Sequence, residues 1–221
     1  GILMSAGIIQ ASGLIYAQFA TPAAAAAYLL AMRAMTAASQ ISQAPFYSKL
    51  PALAQLRAER RHDDLLKLAT RGMVLALWSL VAGALGVMFV APYLLDLIGS
   101  SVTLPGFAML ALLSVAFFAE RYSSMHIQLY SLTNHIVWHI ANGVTGLLMI
   151  GLFLALRPFI GELAMPGAML GAYGGFSAWY ASRLSLKSLQ IERASFEWRT
   201  TVGPLLVLVA ATVVGTLLYA A

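Results

Sequence analysis

The chain has no cysteine in 221 residues, which excludes disulfides, thiolate metal sites and cysteine nucleophiles. It is also poor in charge. Only 10% of its residues are Asp, Glu, Lys or Arg, 61% are hydrophobic, and the mean hydropathy is +0.83. That balance excludes an ordinary soluble domain. The sequence lacks Gly-x-Ser-x-Gly and any Gly-rich phosphate loop ending in Lys-Ser or Lys-Thr, so neither serine hydrolysis nor direct ATP drive is visible. Sustained period-2 alternation is absent too, which argues against an outer-membrane barrel. The opening residues have neither the basic start nor the cleavage site of a signal peptide. Gly1 lies directly inside an apolar run, and further sequence is expected upstream of it.

What remains is apolar and segmented. The few charges leave uncharged stretches at 1–32, 34–48, 72–95, 97–119, 122–156, 163–182 and 200–221. Most approach or exceed the roughly 20 residues that span a hydrocarbon core. The expected fold is an all-α polytopic transmembrane bundle of about seven spans, near 1–18, 23–46, 70–97, 104–130, 134–157, 163–184 and 201–220. Breaks are expected at Thr21-Pro22, Gly99-Ser100, Thr133-Asn134, Arg157-Pro158 and two charged segments. Lys49, Arg57, Arg60, Arg61, Lys67 and Arg71 fall in one of these segments, and Arg183, Lys187, Arg193 and Arg199 in or beside the other. Both are expected to be cytoplasmic. The formal charge of +5 then reads as an orientation signal and a contact with anionic membrane lipids, not with nucleic acid.

Arg33 stands out because it lies in the middle of an alanine-rich span. A charge at bilayer depth costs several kcal/mol or more, on the order of insertion scales, and normally faces a bundle interior or hydrated cavity. Arg33, Thr36, Gln40 and Gln43 follow at i, i+3, i+7 and i+10, one polar stripe on an apolar cylinder. A guanidinium in a cavity offers a planar fork of donors suited to phosphate or carboxylate. The structural alternative is an ion pair with a neighbouring helix, for which Glu120 is the main candidate, as partner of Arg33 or of Arg121. Ser5, Ser12 and Tyr16 share one face of the first span and could line the same space.

His135, His139 and Asn142 are expected on one face of the fifth span. Paired histidines at i, i+4 invite a metal reading, but a third ligand is missing, and no metal or other cofactor is expected. His139 could carry a proton if coupling is proton-driven. Residues 47–67, with leucines among Lys49, Arg57, Arg60 and Arg61, read as an amphipathic helix on the cytoplasmic surface. His62-Asp63-Asp64 within it reads as a solvated turn or helix start.

Three segments in order carry a family resemblance: Tyr28-Leu29-Leu30-Ala31-Met32-Arg33, Gln40-Ile41-Ser42-Gln43-Ala44-Pro45 and Leu50-Pro51-Ala52-Leu53-Ala54-Gln55-Leu56. Ala91-Pro92-Tyr93-Leu94-Leu95 and Met165-Pro166-Gly167-Ala168-Met169-Leu170-Gly171 extend it over about residues 1–190. The chain resembles polysaccharide-type flippases (O-antigen and lipid-linked oligosaccharide transporters) of the multidrug/oligosaccharidyl-lipid/polysaccharide exporter superfamily, and within them the C-terminal half. The resemblance implies a six-helix lobe over 1–190, with 191–221 adding a cytoplasmic connection and one further helix. It also implies a multi-pass protein of the bacterial cytoplasmic membrane, working in cell-envelope polysaccharide or lipopolysaccharide biosynthesis. A polyprenyl-diphosphate-linked glycan would cross by alternating access through a cationic cavity, in company with a glycan polymerase and glycosyltransferases. Arg33 matches the family's cavity arginine.

Three alternatives remain open at this point. A drug/cation antiporter of the same superfamily would show an intramembrane acid, and Glu120 is the candidate, although Arg121 stands beside it. An enzyme of glycan assembly would gather His, Asp or Glu at one membrane face, whereas His126, His135 and Glu120 are few and unordered. A non-transporting scaffold of a glycan-synthesis complex is the third.

Overall fold

One helix, α5 (Phe107–Ser131), is buried on nearly every side, and the others are arranged around it. The computed structural model describes residues 2–220, with side chains described at 7 and 10–219. Ser5 lies outside the described side chains. Eight helices account for the described chain: α1 (Ile2–Ala17), α2 (Pro22–Tyr47), α3 (Leu50–Ala58), α4 (His62–Leu97), α5, α6 (Trp138–Ile160), α7 (164–188) and α8 (Arg193–Tyr219). No strand occurs among the described residues.

Local chemistry explains the boundaries. Thr21 caps α2 by accepting from Ala24 N at 3.3 Å, and Pro22 occupies the first helical position, where its missing N–H costs nothing. Five of the connections turn through a residue with positive φ: Arg60, Gly99, Asn134, Gly161 and Gln190. Such left-handed residues end helices by closing the last carbonyls.

Three helical runs, His62–Leu97, Trp138–Ser188 and Arg193–Tyr219, are long and apolar enough to cross a membrane. The second is 51 residues long, about 76 Å as a straight helix, and it does not run straight. At Gly161, φ is +54° and ψ −119°, a conformation open only to glycine. Beyond it α7 folds back along α6. A Cβ on Gly171 would lie 2.9 Å from Leu152, and one on Gly167 3.5 Å from Ile160 and 3.7 Å from Leu156, the register of an antiparallel hairpin. The expected break at Arg157-Pro158 therefore moves to Gly161, with Pro158 inside the helix. α2 and α5 fall outside the three runs because Arg33 with its amides, and Glu120-Arg121, dilute their apolarity.

The connection read as an amphipathic helix over 47–67 is shorter. Only Leu50–Ala58 forms α3, held down by the fully buried Leu53. The chain then turns at Arg60, and α4 begins at His62, with Asp63 and Asp64 in its first turn, where acidic side chains favour the helix dipole. Arg61 pairs with Asp64 at 2.8 Å and with Glu59 at 3.3 Å. Hydrogen bonds from Gln55 and then Arg61 hold the Glu59 carboxyl below its ordinary range. His62 Nε2 donates to the Leu189 carbonyl at 2.5 Å, tying this turn to the one before α8.

α8 is not peripheral. Its Phe196 and Leu208 belong to the same hydrophobic core as α2, α4, α5 and α7, and Tyr219 stacks on Phe107 at 5.0 Å. The helices approach closely where small residues face each other, as membrane helices do. A Cβ on Gly83 of α4 would stand 2.8 Å from Ala38 Cβ of α2. Gly83→Val is expected to destabilise the protein by about 1–3 kcal/mol through overpacking. Gly143→Ala, where nothing lies within 4 Å, should not, as thermal unfolding in detergent will show.

Candidate functional site

The polar groups of the bundle divide between an open stripe on α2 and buried clusters around α5. Arg33 lies on the face of α2 opposite its core residues Tyr28, Ala31, Met35 and Ser42. Arg33 and Gln40 are exposed, and Thr36 and Gln43 are half-buried beside them. The four side chains keep the expected alignment, and none has a hydrogen-bond or ion-pair partner among the described residues. Arg33 is not paired with Glu120.

Glu120 and Arg121 are instead turned inwards, with 9% and 5% of their side chains exposed and 3.8 Å between Arg121 Nη2 and Glu120 Oε2. Arg121 Nη2 donates to the Ser39 carbonyl at 2.9 Å and to Ser39 Oγ at 2.5 Å. Ser124 donates to Glu120 Oε1 at 2.7 Å. The phenol of Tyr173 on α7 lies in the field of Glu120, and Tyr47, at the end of α2, reaches Arg121 and Gln128. Such a pair is held by geometry, because desolvating two charges costs about as much as their attraction returns. The cluster locks α2, α5 and α7 together, with Arg121 Nε and Glu120 Oε2 buried without a hydrogen-bond partner among the described residues.

Ser12 and Tyr16 do not join Arg33 either. Ser12 is buried against the Tyr28 hydroxyl. Tyr16 stacks on the Tyr28 ring at 4.1 Å, and Tyr28 donates to Met169 Sδ at 3.7 Å, a seam joining α1, α2 and α7. The Tyr16 hydroxyl has no partner and borders two cavities of about 410 Å³, both also lined by Glu162. These cavities hold none of the stripe residues.

The expected shared face of His135, His139 and Asn142 does not form. α6 starts at Trp138, after a turn through Asn134, so His135 precedes the helix. His139 is exposed, whereas Asn142 is buried with its amide nitrogen unpartnered. Among the described residues, no three His, Cys, Asp or Glu side chains gather as metal ligands.

Sequence reasoning missed a second buried cluster on the opposite side of α5. Tyr122 donates to Glu197, Thr201 donates to Glu197 Oε2 at 2.8 Å, and His126 Nδ1 lies 2.6 Å from Ser185 Oγ. A signal was present in the helical spacing of its pairs: Tyr122 with His126, Ser182 with Ser185, and Glu197 with Thr201. Ser182 with Ser185 and Glu197 with Thr201 flank the charged connection and read there as solvated side chains, whereas Tyr122 and His126 lie inside α5. Ser123 also meets Ser177 at 2.6 Å, where a π turn over Gly171–Ser177 widens α7, a local geometry often found at functional positions.

The chain matches no known family model, no curated protein and no solved structure.

The two arginines should therefore respond differently to removal. Arg121→Ala strands a buried carboxylate and is expected to cost about 3–5 kcal/mol. Arg33→Ala is expected to stay within about 0.5 kcal/mol of the unsubstituted protein. Chemical or thermal unfolding of the purified variants measures both.

Proposed function

We propose that the protein is a flippase lobe that moves a lipid-linked oligosaccharide or polysaccharide precursor across the cytoplasmic membrane by alternating access. The observation that carries this reading is the unpartnered Arg33 stripe at mid-length of a long helix. Glu120 and Arg121, the other charges at mid-length of a helix, are engaged by the fold. An uncovered guanidinium about 17 Å along α2 cannot rest against lipid without a cost of several kcal/mol or more. A hydrated cavity completed by a second lobe removes that cost, and a diphosphate supplies the acceptors for its fork of donors. Thr36, Gln40 and Gln43 then offer hydrogen bonds to the glycan along the same line.

In this reading all seven long helical segments cross the membrane. The α6–α7 hairpin provides two crossings joined at Gly161, and α3 lies on the cytoplasmic face among Arg57, Arg60 and Arg61. The exposed leucines and valines of α6 and α8, such as Leu147, Leu154, Val213 and Leu217, meet lipid. The placement of Glu120 beside Arg121 and Ser124 supports this reading over the antiporter alternative. The polyprenyl-diphosphate glycan is the partner recognised by Arg33, while polymerase and glycosyltransferases belong to the assembly that supplies and consumes it.

Arg33→Ala in the full-length protein should weaken substrate engagement by about 10- to 100-fold, the loss of a charge-assisted hydrogen-bond pair, with normal protein levels in the membrane. Arg33→Lys, which keeps the charge but not the fork, should fall between. Glycan export assayed in cells depending on the variant tests this. Unchanged export in Arg33→Ala would favour a scaffold.

A further inference from the structure

His126 is fully buried, yet its Nε2 has no hydrogen-bond partner. That nitrogen stands 3.7 Å from Glu197 Oε1. The rest of the site is closely specified. Glu197 accepts from Tyr122 and Thr201, His126 Nδ1 lies 2.6 Å from Ser185 Oγ, and Ser185 donates to the Ser182 carbonyl at 3.2 Å.

A neutral imidazole carries one N–H and one bare nitrogen, and neither placement satisfies this site. With the proton on Nδ1, a bare Nε2 faces a carboxylate oxygen, acceptor against acceptor. With the proton on Nε2, Ser185 must turn its hydroxyl towards Nδ1 and give up the Ser182 carbonyl. One added proton resolves both conflicts. Nδ1–H donates to Ser185, Ser185 donates to Ser182, and Nε2–H points at Glu197. Buried polar groups are nearly always paired, so the fully matched state is the protonated one.

The groups around His126 act in opposite directions: burial and the Arg193 guanidinium oppose an added proton, and the Glu197 carboxylate favours it. Tyr122 comes from its own helix, and Glu197 and Arg193 come from α8. α7 contributes only the hydroxyls of Ser182 and Ser185, because Arg183 and Lys187 are exposed. Phe196 lies edge-on to the imidazole at 6.1 Å. Glu197, with 17% of its side chain exposed, gives water access to an otherwise closed site.

We propose that His126 and Glu197 together form a proton-binding site, in which uptake of one proton from water joins α8 to α5 and α7 through a buried ion pair. The π turn Trp198–Val202 directly follows Glu197, so closing the 3.7 Å gap acts on the helix where its hydrogen-bond ladder is already widened. The inference rests on this cluster alone and does not depend on what the protein transports.

Imidazole nitrogen NMR of the whole chain in lipid nanodiscs tests it directly, since only four histidines are present and His126→Gln identifies the signal. His126 is expected to convert to imidazolium as the pH is lowered within the range where the protein stays folded, and to stay neutral over that range in Glu197→Gln. Tyr122→Phe, which removes one donor from the carboxylate and preserves the ring, should move uptake to higher pH. A His126 neutral throughout in the unsubstituted protein would overturn the proposal, as would a titration unchanged in Glu197→Gln or not raised in Tyr122→Phe.

Discussion

Arg121 sits where a guanidinium can find water almost nowhere, and the packing of the bundle follows from how its Nη2 is met. Ser39 supplies both its carbonyl and its hydroxyl, which fixes the height of α2 against α5. Glu120 next to Arg121 brings in Ser124 and the phenol of Tyr173, and so sets the position of α7. A helix with polar groups on two sides cannot lie at the edge of an apolar bundle. α5 is therefore central, with Arg121 and Glu120 towards α2 and α7, and Tyr122 and His126 towards α7 and α8. The apolar side chains fill the space between these fixed points, and small residues such as Gly83 and Ala38 set how closely the helices approach.

The same constraint separates enclosed from uncovered charge. Arg33 and Arg121 are chemically identical and both interrupt apolar helices, but one is enclosed and hydrogen-bonded and the other lies uncovered with Thr36, Gln40 and Gln43. An enclosed arginine holds helices together. An uncovered one has no acceptor among the described residues, and at mid-length of an apolar helix it is costly to leave against lipid.

Much of the fold was legible because membrane helices are written in composition. Most of the long apolar segments fall within a few residues of the helices found, although the helices expected from 70 and 201 begin at His62 and Arg193, inside the charged connections, and Thr21-Pro22 and Asn134 marked real breaks. Turns that depend on one backbone conformation were less visible. Arg60 and Gln190 adopt positive φ without the usual glycine signal, and Gly161 rather than Pro158 reverses the chain. The alignment of Arg33, Thr36, Gln40 and Gln43 followed from helical periodicity, since all four lie on one helix. The pairing of Arg121 with Ser39, and of His126 with Ser185 and Glu197, could not be read in the same way. Those partners lie 82, 59 and 71 residues apart, and only the packing of four helices decides which faces meet.

The central claim is that the α2 stripe faces water while the α5 clusters do not. Because the chain has no cysteine, single cysteines placed at Arg33 and Gln40 can be probed in native membranes with a charged, membrane-impermeant thiol reagent applied from either side. Labelling of Arg33→Cys and Gln40→Cys, with Ser124→Cys unreactive and Glu59→Cys as the exposed reference, is the predicted result. Failure of both stripe positions to label while Glu59→Cys reacts would place the stripe against lipid or protein and contradict the account.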